Sequence, residues 1–324
     1  MFFLDSCHAS AETDAALAGL LESDSLRLVV TDSGFGGLSV AADTARRAEE
    51  SRAYRRVELI FVNALFRDRG GYNSLAARED KIRIFNAALA AMAGHEAPDA
   101  LLVACNTLSV LLPDCAFARG SSVPIAGMVE PGVDLIARVL EDNPGAAAIL
   151  FATQTTVAEG SHHRGLLERG IAGERFVVQS CPDLAGQIED DPLGPETERM
   201  IASFVSDAAS KLAPSDGPVF ASLNCTHFGY SAEVWERRMR ASGVPAGGLL
   251  NPNDRMAAPL FPAHLHGRFA QTDVTVRTVS MVDIPATAVN ALAPVLARTS
   301  PATARAMENW EKVPGLFEWE IAAT

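Results

Sequence analysis

The sequence predicts an α/β protein in which two parallel-sheet halves face each other across a cleft. Three observations lead to this fold: the length and composition of the chain, the alternation of short apolar runs with helical stretches, and a repeat of the turns that end those runs. Helices cover both faces of most parallel sheets, so the strands are continuous apolar runs and the crossovers between them are helical.

The chain has 324 residues, which is enough for about two domains of ordinary size. Its hydrophobic fraction of 48% and charged fraction of 21% are typical of a packed globular protein. The net charge of −13 disfavours nucleic acid and anionic membranes, since both attract basic surfaces. We therefore expect a small-molecule ligand, with no nucleic-acid partner and no membrane partner.

No apolar stretch approaches the roughly 18 residues of a membrane helix, and the first residues lack the basic start of a secretory signal. These features predict a cytoplasmic protein. Five cysteines in a chain of this length do not make a disulfide framework, and no two of them have the spacing of a zinc site. Each cysteine is therefore either a small buried side chain or a reactive thiol.

Six short apolar runs are predicted to form buried strands, and each ends at small or polar turn residues. Runs of four to seven aliphatic and β-branched residues are typical of strands buried on both faces. The stretches between them are rich in Ala and Leu and long enough for crossover helices. The runs are 28–31, 57–62, 100–104, 148–152, 175–179 and 218–223.

The turns after these runs repeat along the chain. Asp32 and Thr153 are 121 residues apart, Cys105 and Cys225 are 120 apart, and a later pair of prolines is again 121 apart. In an open α/β sheet the ligand binds outside the carboxyl ends of the strands. If the repeat is a duplication and not a chance spacing, one cleft collects the turns of both halves and places Cys105 opposite Cys225.

A glycine-rich turn, D-S-G-F-G-G-L-S-V at residues 32–40, follows the first strand and opens a helix. Its backbone N–H groups and the helix dipole predict an anion site. A dinucleotide fits poorly because the third glycine of its fingerprint is missing, and there is no lysine of a phosphate-binding loop. The carboxylate of Asp32 is better explained as a partner for a substrate cation, or as an orienting group for an acid or base.

Cys105 and Cys225 each stand between an apolar strand and polar residues at a helix start, where the dipole lowers a thiol pKa. A lone cysteine at a strand end is usually structural, but two cysteines at equivalent places in a repeat indicate a catalytic role. We interpret Cys7 and Cys115, which lack such a setting, as inert. Two facing thiols can invert one carbon by two-base proton transfer, which requires no cofactor and no metal.

Histidine pairs at 162–163 and at 264 and 266 have no acidic or cysteine partners nearby in the sequence, so we assign no metal site.

Six motifs in order resemble the glutamate racemases of the cofactor-independent aspartate/glutamate racemase superfamily. The resemblance covers about residues 28–253. The motifs are the glycine turn at 32–40, A-C-N-T at 104–107, E-P-G at 130–132, A-T-x-x-T-V at 152–157, C-P with Glu189 seven residues past the proline, and C-T-H at 225–227.

This resemblance implies two flavodoxin-like, three-layer α/β domains related by a pseudo-two-fold axis, with the active site in the cleft between them. The expected division is an N-terminal extension at 1–25, a first domain at 26–130 plus 248–324, and a second domain at 131–247. The resemblance also implies that Cys105 takes the proton from the D-substrate and Cys225 from the L-substrate.

The same resemblance assigns the assisting and binding residues. The implied catalytic helpers are Asp32, His227 and Glu189. The residues implied to hold the amino acid are Ser33, Tyr72, Asn73, Asn106, Thr107, Thr156 and Thr226.

The chain departs from the family pattern in the loop that helps to hold the substrate. G-Y-N at 71–73 replaces P-Y-G, and Ala76 stands where a serine is expected. C-T-H is followed by F-G instead of Y-P, and Asn224 replaces a glycine. We expect these changes to affect the substrate more than the reaction, so that glutamate is a poor substrate. Arg67 and Arg69 are either a carboxylate clamp or solvated loop charges.

Three classes of function remain open. The main hypothesis is an amino-acid racemase or epimerase. A second is a decarboxylase or cis-trans isomerase of a small dicarboxylate, which would use the two cysteines unequally. A third is a non-catalytic binding relative. The C-terminal part, 257–324, is expected either to cover the cleft or to make a subunit contact in a homodimer.

Overall fold

The computed structural model describes residues 19–67, 70–214 and 216–320, and it contains two parallel sheets. Cys7, Arg69 and most of the predicted N-terminal extension lie outside the described residues. The strands are β1 Ser25–Asp32, β2 Arg56–Asn63, β3 Ala100–Val103, β4 Ile125–Gly127, β5 Ala147–Ala152, β6 Phe176–Ser180, β7 Val219–Asn224, β8 Ala246–Leu250, β9 Asp273–Ser280 and β10 Glu311–Lys312.

Thirteen α-helical segments that lie wholly within the described residues connect and cover these strands. They are α1 Leu38–Ser51, α2 Arg78–Glu96, α3 Asn106–Ser109, α4 Ala116–Gly120, α5 Val129–Asp142, α6 Gln154–Glu159, α7 Ser161–Glu168, α8 Leu184–Asp190, α9 Pro195–Lys211, α10 Ala232–Ala241, α11 Asn253–Met256, α12 Ala286–Ala297 and α13 Pro301–Glu308.

The two sheets share one strand order. The first sheet runs β10-β9-β2-β1-β3-β4 and the second β6-β5-β7-β8, and every pair is parallel. The order β2-β1-β3-β4 is therefore repeated as β6-β5-β7-β8. This repetition explains the constant offset between turns in the sequence, and the predicted α/β fold class is confirmed.

Two late strands extend the first sheet beyond the repeated unit. β9 pairs in parallel with β2 along its whole length, and β10 adds two residues at the edge. β8 belongs to the second sheet and ends at Leu250, so it crosses the predicted boundary between 247 and 248. The division of the chain into domains remains a prediction.

The strand order fixes where the turns lie. In a sheet of order 2-1-3-4, the second strand lies on one side of the first strand and the third strand lies on the other. The turns after the first and third strands therefore border a crevice. Asp32 ends β1 and Cys105 follows the neighbouring β3. In the second sheet, Thr153 follows β5 and Cys225 follows the neighbouring β7. Each half therefore presents a cysteine turn beside a second polar turn.

One hydrophobic core runs through both halves below these turns. It includes Val30 and Phe61 from the first sheet and Phe151 from the second, all fully buried. Trp235 of α10 packs on Phe151 with ring centroids 4.4 Å apart, and Tyr230 donates its hydroxyl to the carbonyl of Phe35 in the glycine turn at 3.0 Å. The shared core fixes the two halves against each other at the base of the cleft.

The C-terminal part supports the loop that carries Tyr72. Trp319 packs on Phe66 with ring centroids 5.6 Å apart, and Phe66 meets Tyr72 edge-on at 5.1 Å. This contact lies within the chain, next to the cleft. No helix among the described residues is long and apolar enough to cross a membrane.

Candidate active site

A cavity of about 820 Å³ lies between the two halves, and both Cys105 and Cys225 line it. Because each cysteine follows the third strand of its own half, the repeat brings the two thiols to one space. Eleven of the twelve residues predicted for the site line this cavity: Asp32, Ser33, Tyr72, Asn73, Cys105, Asn106, Thr107, Glu189, Cys225, Thr226 and His227.

Cys105 is the buried thiol of the first half and directly precedes α3. Its Sγ lies 3.1 Å from the Ser33 Oγ, and either atom can donate. Burial raises the pKa of Cys105 well above its ordinary value, and the charge of Asp32 raises it further. The expectation that a helix start lowers this pKa is therefore wrong. α3 has only four residues, so its dipole cannot offset the loss of water around a thiolate.

Asp32 links the two halves across the cleft. It is fully buried, and its Oδ2 accepts a hydrogen bond from the Thr226 hydroxyl at 2.6 Å. Burial raises the pKa of Asp32, although the charge of His227 and the Thr226 bond oppose this rise. A carboxyl group of the first half is thus held by the turn that carries Cys225.

Cys225 lies at the end of a chain of titratable groups in the second half. Its Sγ is 3.7 Å from His227 Nδ1, and His227 Nε2 is 2.6 Å from Glu189 Oε1. Burial on its own lowers the pKa of His227, but the charge of Glu189 and the bond to Cys225 together hold it well above the ordinary value. The raised pKa favours an imidazolium at His227, between the Glu189 carboxylate and the Cys225 sulfur.

The glycine turn binds this chain of groups through its backbone. The Phe35 N–H donates to Glu189 Oε1 at 2.9 Å, and the Gly36 N–H points at His227 Nε2 at 3.0 Å. Nε2 accepts from Gly36 when it carries no proton, and donates to Glu189 when it does. The anion that the Phe35 amide binds is thus the carboxylate of Glu189, a side chain of the second half, so this amide of the predicted anion site is not open to a substrate.

Several buried polar atoms that line the cavity have no partner among the described residues. They are Oδ1 and Nδ2 of Asn106, the hydroxyl of Tyr72 and Oδ1 of Asp32. Asn106 and Tyr72 are each only 1% exposed. Burial raises the pKa of Tyr72 well above its usual value, so its hydroxyl stays a donor. Buried polar groups are nearly always hydrogen-bonded, so these atoms indicate a ligand that supplies their missing hydrogen bonds.

Thr153 lines the cavity but does not figure among the predicted site residues. Its hydroxyl lies 2.8 Å from that of Thr107 and 2.9 Å from that of Thr156. Thr156, by contrast, does not line the cavity and contacts it through Thr153. The signal that identifies Thr153 is the repeat itself, since it is the counterpart of Asp32.

The remaining cysteines and the predicted clamp have other surroundings. Cys115 is buried outside the cavity, and burial raises its pKa to about 12. Cys181 lines the cavity, and burial together with the charge of Cys225 raises its pKa well above the usual value.

Arg67 does not line the cavity, and its guanidinium donates to the Ser74 hydroxyl at 2.6 Å. The described part of the chain contains no group of three or more His, Cys, Asp or Glu placed to hold a metal.

A model of the Asp/Glu/Hydantoin racemase family matches residues 36–248, about two thirds of the chain. The chain belongs to this family. The resemblance to racemases stated from the six motifs is thereby confirmed at the level of the family.

Curated relatives of this racemase family member include two glutamate racemases. That of Roseiflexus sp. (strain RS-1) is 29% identical over 198 residues, which cover 61% of this chain and 65% of the relative. That of Exiguobacterium sibiricum is 26% identical over 207 residues, covering 63% of this chain and 69% of the relative. The matches thus span about two thirds of the relatives' own length.

Solved racemase structures share the fold. Glutamate racemase from Francisella tularensis subsp. tularensis SCHU S4, in complex with D-glutamate, matches with a TM-score of 0.63 at 18% identity, covering 85% of this chain and 94% of that one. Glutamate racemase from Thermus thermophilus, in complex with β-chloro-D-alanine, matches with a TM-score of 0.61 at 22% identity, covering 90% and 98%. At such identities the similarity supports the two-domain racemase fold.

A smaller cavity of about 250 Å³ adjoins the Cys225 turn and is lined by Asn224, Thr156 and His162. His162 is 3% exposed, and neither of its ring nitrogens has a partner among the described residues. Burial lowers the pKa of His162 to about 4. The ring is therefore neutral in the folded protein at all but acidic pH.

The buried His162 predicts that stability falls as the pH is lowered. An unfolded histidine has a pKa of about 6.5, so between pH 6.5 and 4 the unfolded chain binds a proton that the folded chain does not. The stability that the folded protein gains from its neutral His162 is fully present above pH 6.5 and is lost as the pH falls towards 4. Between pH 7 and pH 5, this loss lowers the free energy of unfolding by about 2 kcal/mol.

Urea denaturation at pH 7 and pH 5 measures this loss. His162→Phe, which keeps an aromatic ring but cannot titrate, is expected to lose about 2 kcal/mol less than the wild type over that interval. His264→Asn removes an exposed histidine and serves as the matched control, with the same loss as the wild type. An equal loss in His162→Phe and wild type would show that His162 does not titrate abnormally.

Proposed function

We propose that this chain is a cofactor-independent α-amino-acid racemase that inverts the α-carbon by two-base proton transfer between Cys105 and Cys225. The observation that carries the proposal is that two cysteines at equivalent turns of a duplicated fold line one cavity. Each also has a titratable neighbour of its own, Asp32 for Cys105 and His227 for Cys225. A reaction that uses a single cysteine would not need a second cysteine in the cavity with a titratable neighbour of its own.

The reaction requires one thiolate and one thiol on opposite faces of the substrate carbon. The thiolate takes the proton from the α-carbon on one face, and the thiol on the other face gives its proton to the resulting carbanion. The configuration inverts, and the two sulfurs exchange protonation states. The reverse reaction then starts from the other enantiomer, so one site serves both directions.

The surroundings of the two thiols differ in charge. Burial and the carboxyl of Asp32 keep Cys105 as a neutral thiol. The imidazolium of His227 lies next to Cys225, with Nδ1 3.7 Å from the Cys225 Sγ. Cys225 is therefore the sulfur with a cationic neighbour, and it is the cysteine that the family resemblance pairs with the L-substrate.

The relatives support a small amino acid as the ligand. The curated relatives are named as glutamate racemases, and one solved neighbour holds D-glutamate. In the present chain the unpartnered amide of Asn106 and hydroxyl of Tyr72 supply donors for a substrate carboxylate. A homodimer and a cytoplasmic location stay predictions.

Isotope exchange tests the proposed reaction. The protein is incubated in deuterated water with L- and D-amino acids and with small dicarboxylates, and the α-proton is followed by NMR. We expect exchange and inversion from both enantiomers of one amino acid, at a rate on the order of 1 to 1,000 per second. Release of carbon dioxide or a change of double-bond geometry would instead indicate the decarboxylase or the cis-trans isomerase. Ligand binding without turnover would indicate a non-catalytic relative.

A further inference from the structure

The cavity between the halves is lined by carboxylates on its exposed side. Asp183 precedes α8, Asp190 ends it, and Glu196 lies in the first turn of α9; all three are exposed and line the cavity. Within the described part of the chain, no lysine or arginine lines it. The single imidazolium there, His227, is paired with Glu189. Among the described lining residues, the carboxylates of Asp183 and Asp190 on the exposed side of the cavity therefore have no cation to pair with.

The protein itself does not use the carboxylates of Asp183 and Asp190. Neither has a hydrogen bond or an ion pair with any residue that the structure describes, whereas Glu196 pairs with Arg199 at 2.5 Å. Asp183 stands at the start of α8, but its side chain makes no capping hydrogen bond. Its backbone is left-handed, with φ of 60°, which is unfavourable for residues other than glycine. Helix capping does not account for this carboxylate.

The same cavity holds an apolar surface beside these charges. Leu65 from the first half and Ala185 and Met200 from the second line it. A lysine- or arginine-like side chain has matching chemistry, since its methylene stem packs on apolar surface while its charged end reaches polar groups. The cavity volume of about 820 Å³ leaves room for a long side chain.

The buried side of the cavity has the opposite character. The amide of Asn106 and the hydroxyl of Tyr72 are buried donors without partners among the described residues, and Ser33 and Thr107 lie beside them along the lining. Neutral donors suit the α-carboxylate of an amino acid. An amino acid bound in this direction has its α-carbon near the cysteines and its side chain towards the carboxylates.

We propose that the substrate is an α-amino acid whose long aliphatic side chain ends in an ammonium or guanidinium group, with Asp183 and Asp190 determining this specificity. The inference rests on the proposed racemase function. A dicarboxylic amino acid in the same position brings its second carboxylate towards two others, and like charges that lack a cation between them disfavour binding. Specificity here thus combines attraction of one class with repulsion of the other.

The test compares substrates in the deuterium-exchange assay at low ionic strength. The probes are both enantiomers of lysine, ornithine, arginine, glutamine and glutamate. We expect kcat/KM for at least one cationic amino acid to exceed that for glutamate by about 10-fold or more. The preference should shrink in about 1 M salt, because screening shortens the reach of exposed charges.

Neutral isosteres then assign the preference to the two carboxylates. Asp183→Asn and Asp190→Asn are each expected to raise KM for the cationic substrate about three- to five-fold with little change in kcat, and to lower KM for glutamate. Glu174→Gln removes an exposed carboxylate outside the cavity and should change neither KM. Unchanged KM values in both aspartate variants would overturn their role.

The outcomes separate the two proposals. A wild-type preference for glutamate over every cationic amino acid overturns the substrate class but leaves the racemase function intact. Exchange from no amino acid, either in this panel or in the wider set that tests the proposed function, overturns the racemase function itself and the substrate class with it.

Discussion

Replacing either cleft cysteine by serine is expected to reduce racemisation by about 100- to 10,000-fold, the usual contribution of a positioned acid or base. Each turnover requires both a proton acceptor and a proton donor, and a serine hydroxyl is a far weaker acid than a thiol. Because every inversion requires both groups, Cys105→Ser and Cys225→Ser should be impaired to a similar extent.

The two variants should differ in the exchange that remains. In Cys105→Ser the Cys225 thiolate can still remove a proton from the L-enantiomer and return a deuteron to the same face. Cys225→Ser should keep the corresponding exchange from the D-enantiomer only. NMR of the α-proton measures exchange, and circular dichroism or chiral chromatography measures inversion on the same samples.

Cys115→Ser is the matched control for these variants. Cys115 is also buried, but it lies outside the cavity, so its variant should racemise at the wild-type rate under conditions where it is folded. Near wild-type racemisation by either cleft variant would contradict the two-thiol mechanism. A one-cysteine reaction such as decarboxylation would then explain the site better.

The sequence predicts the central strands well because their burial leaves a direct trace. β1 and β2 are buried on both faces for most of their length, so each is a continuous apolar run. β9 has no such run: Asp273, Thr275 and Arg277 alternate with valines, because one side of its first half reaches solvent. β10 has only two exposed residues. Strands at or next to the edge of a sheet, such as β10 and β9, leave little signal in apolar runs and depend on tertiary pairing.

The sequence also predicts which turns meet, but not how they are joined. A residue that follows a parallel strand lies at the carboxyl edge wherever the sheet is placed, so Cys105 and Cys225 could be located from spacing alone. The bond between Thr226 and Asp32 and the approach of Gly36 to His227 depend on how one half docks on the other. Cys105 packs in a hydrophobic cluster of the first half, and this burial, which the spacing of the turns does not reveal, sets the direction of its pKa shift.

Gly36→Ala is expected to destabilise the protein by about 1–3 kcal/mol and to lower kcat by about 100-fold. A Cβ at this position would overlap the Thr226 hydroxyl and lie 2.7 Å from both the backbone nitrogen and the Nδ1 of His227. The atoms it meets include backbone, so the conflict cannot be relieved by rotation of a side chain. Either the glycine turn or the Cys225 turn must shift.

Gly94→Ala is the control, because a Cβ there meets nothing within 4 Å and the position lies inside α2. It should leave kcat unchanged and raise the free energy of unfolding by about 0.5–1 kcal/mol, the usual gain from Gly to Ala in a helix. Urea denaturation and exchange kinetics on both variants measure the two effects separately. A shift of the Cys225 turn displaces the thiol from the substrate carbon and from His227 together, so kcat should fall even where Gly36→Ala is fully folded. Wild-type kcat in a folded Gly36→Ala protein would contradict this, and would mean that the contact between the halves does not set the position of Cys225.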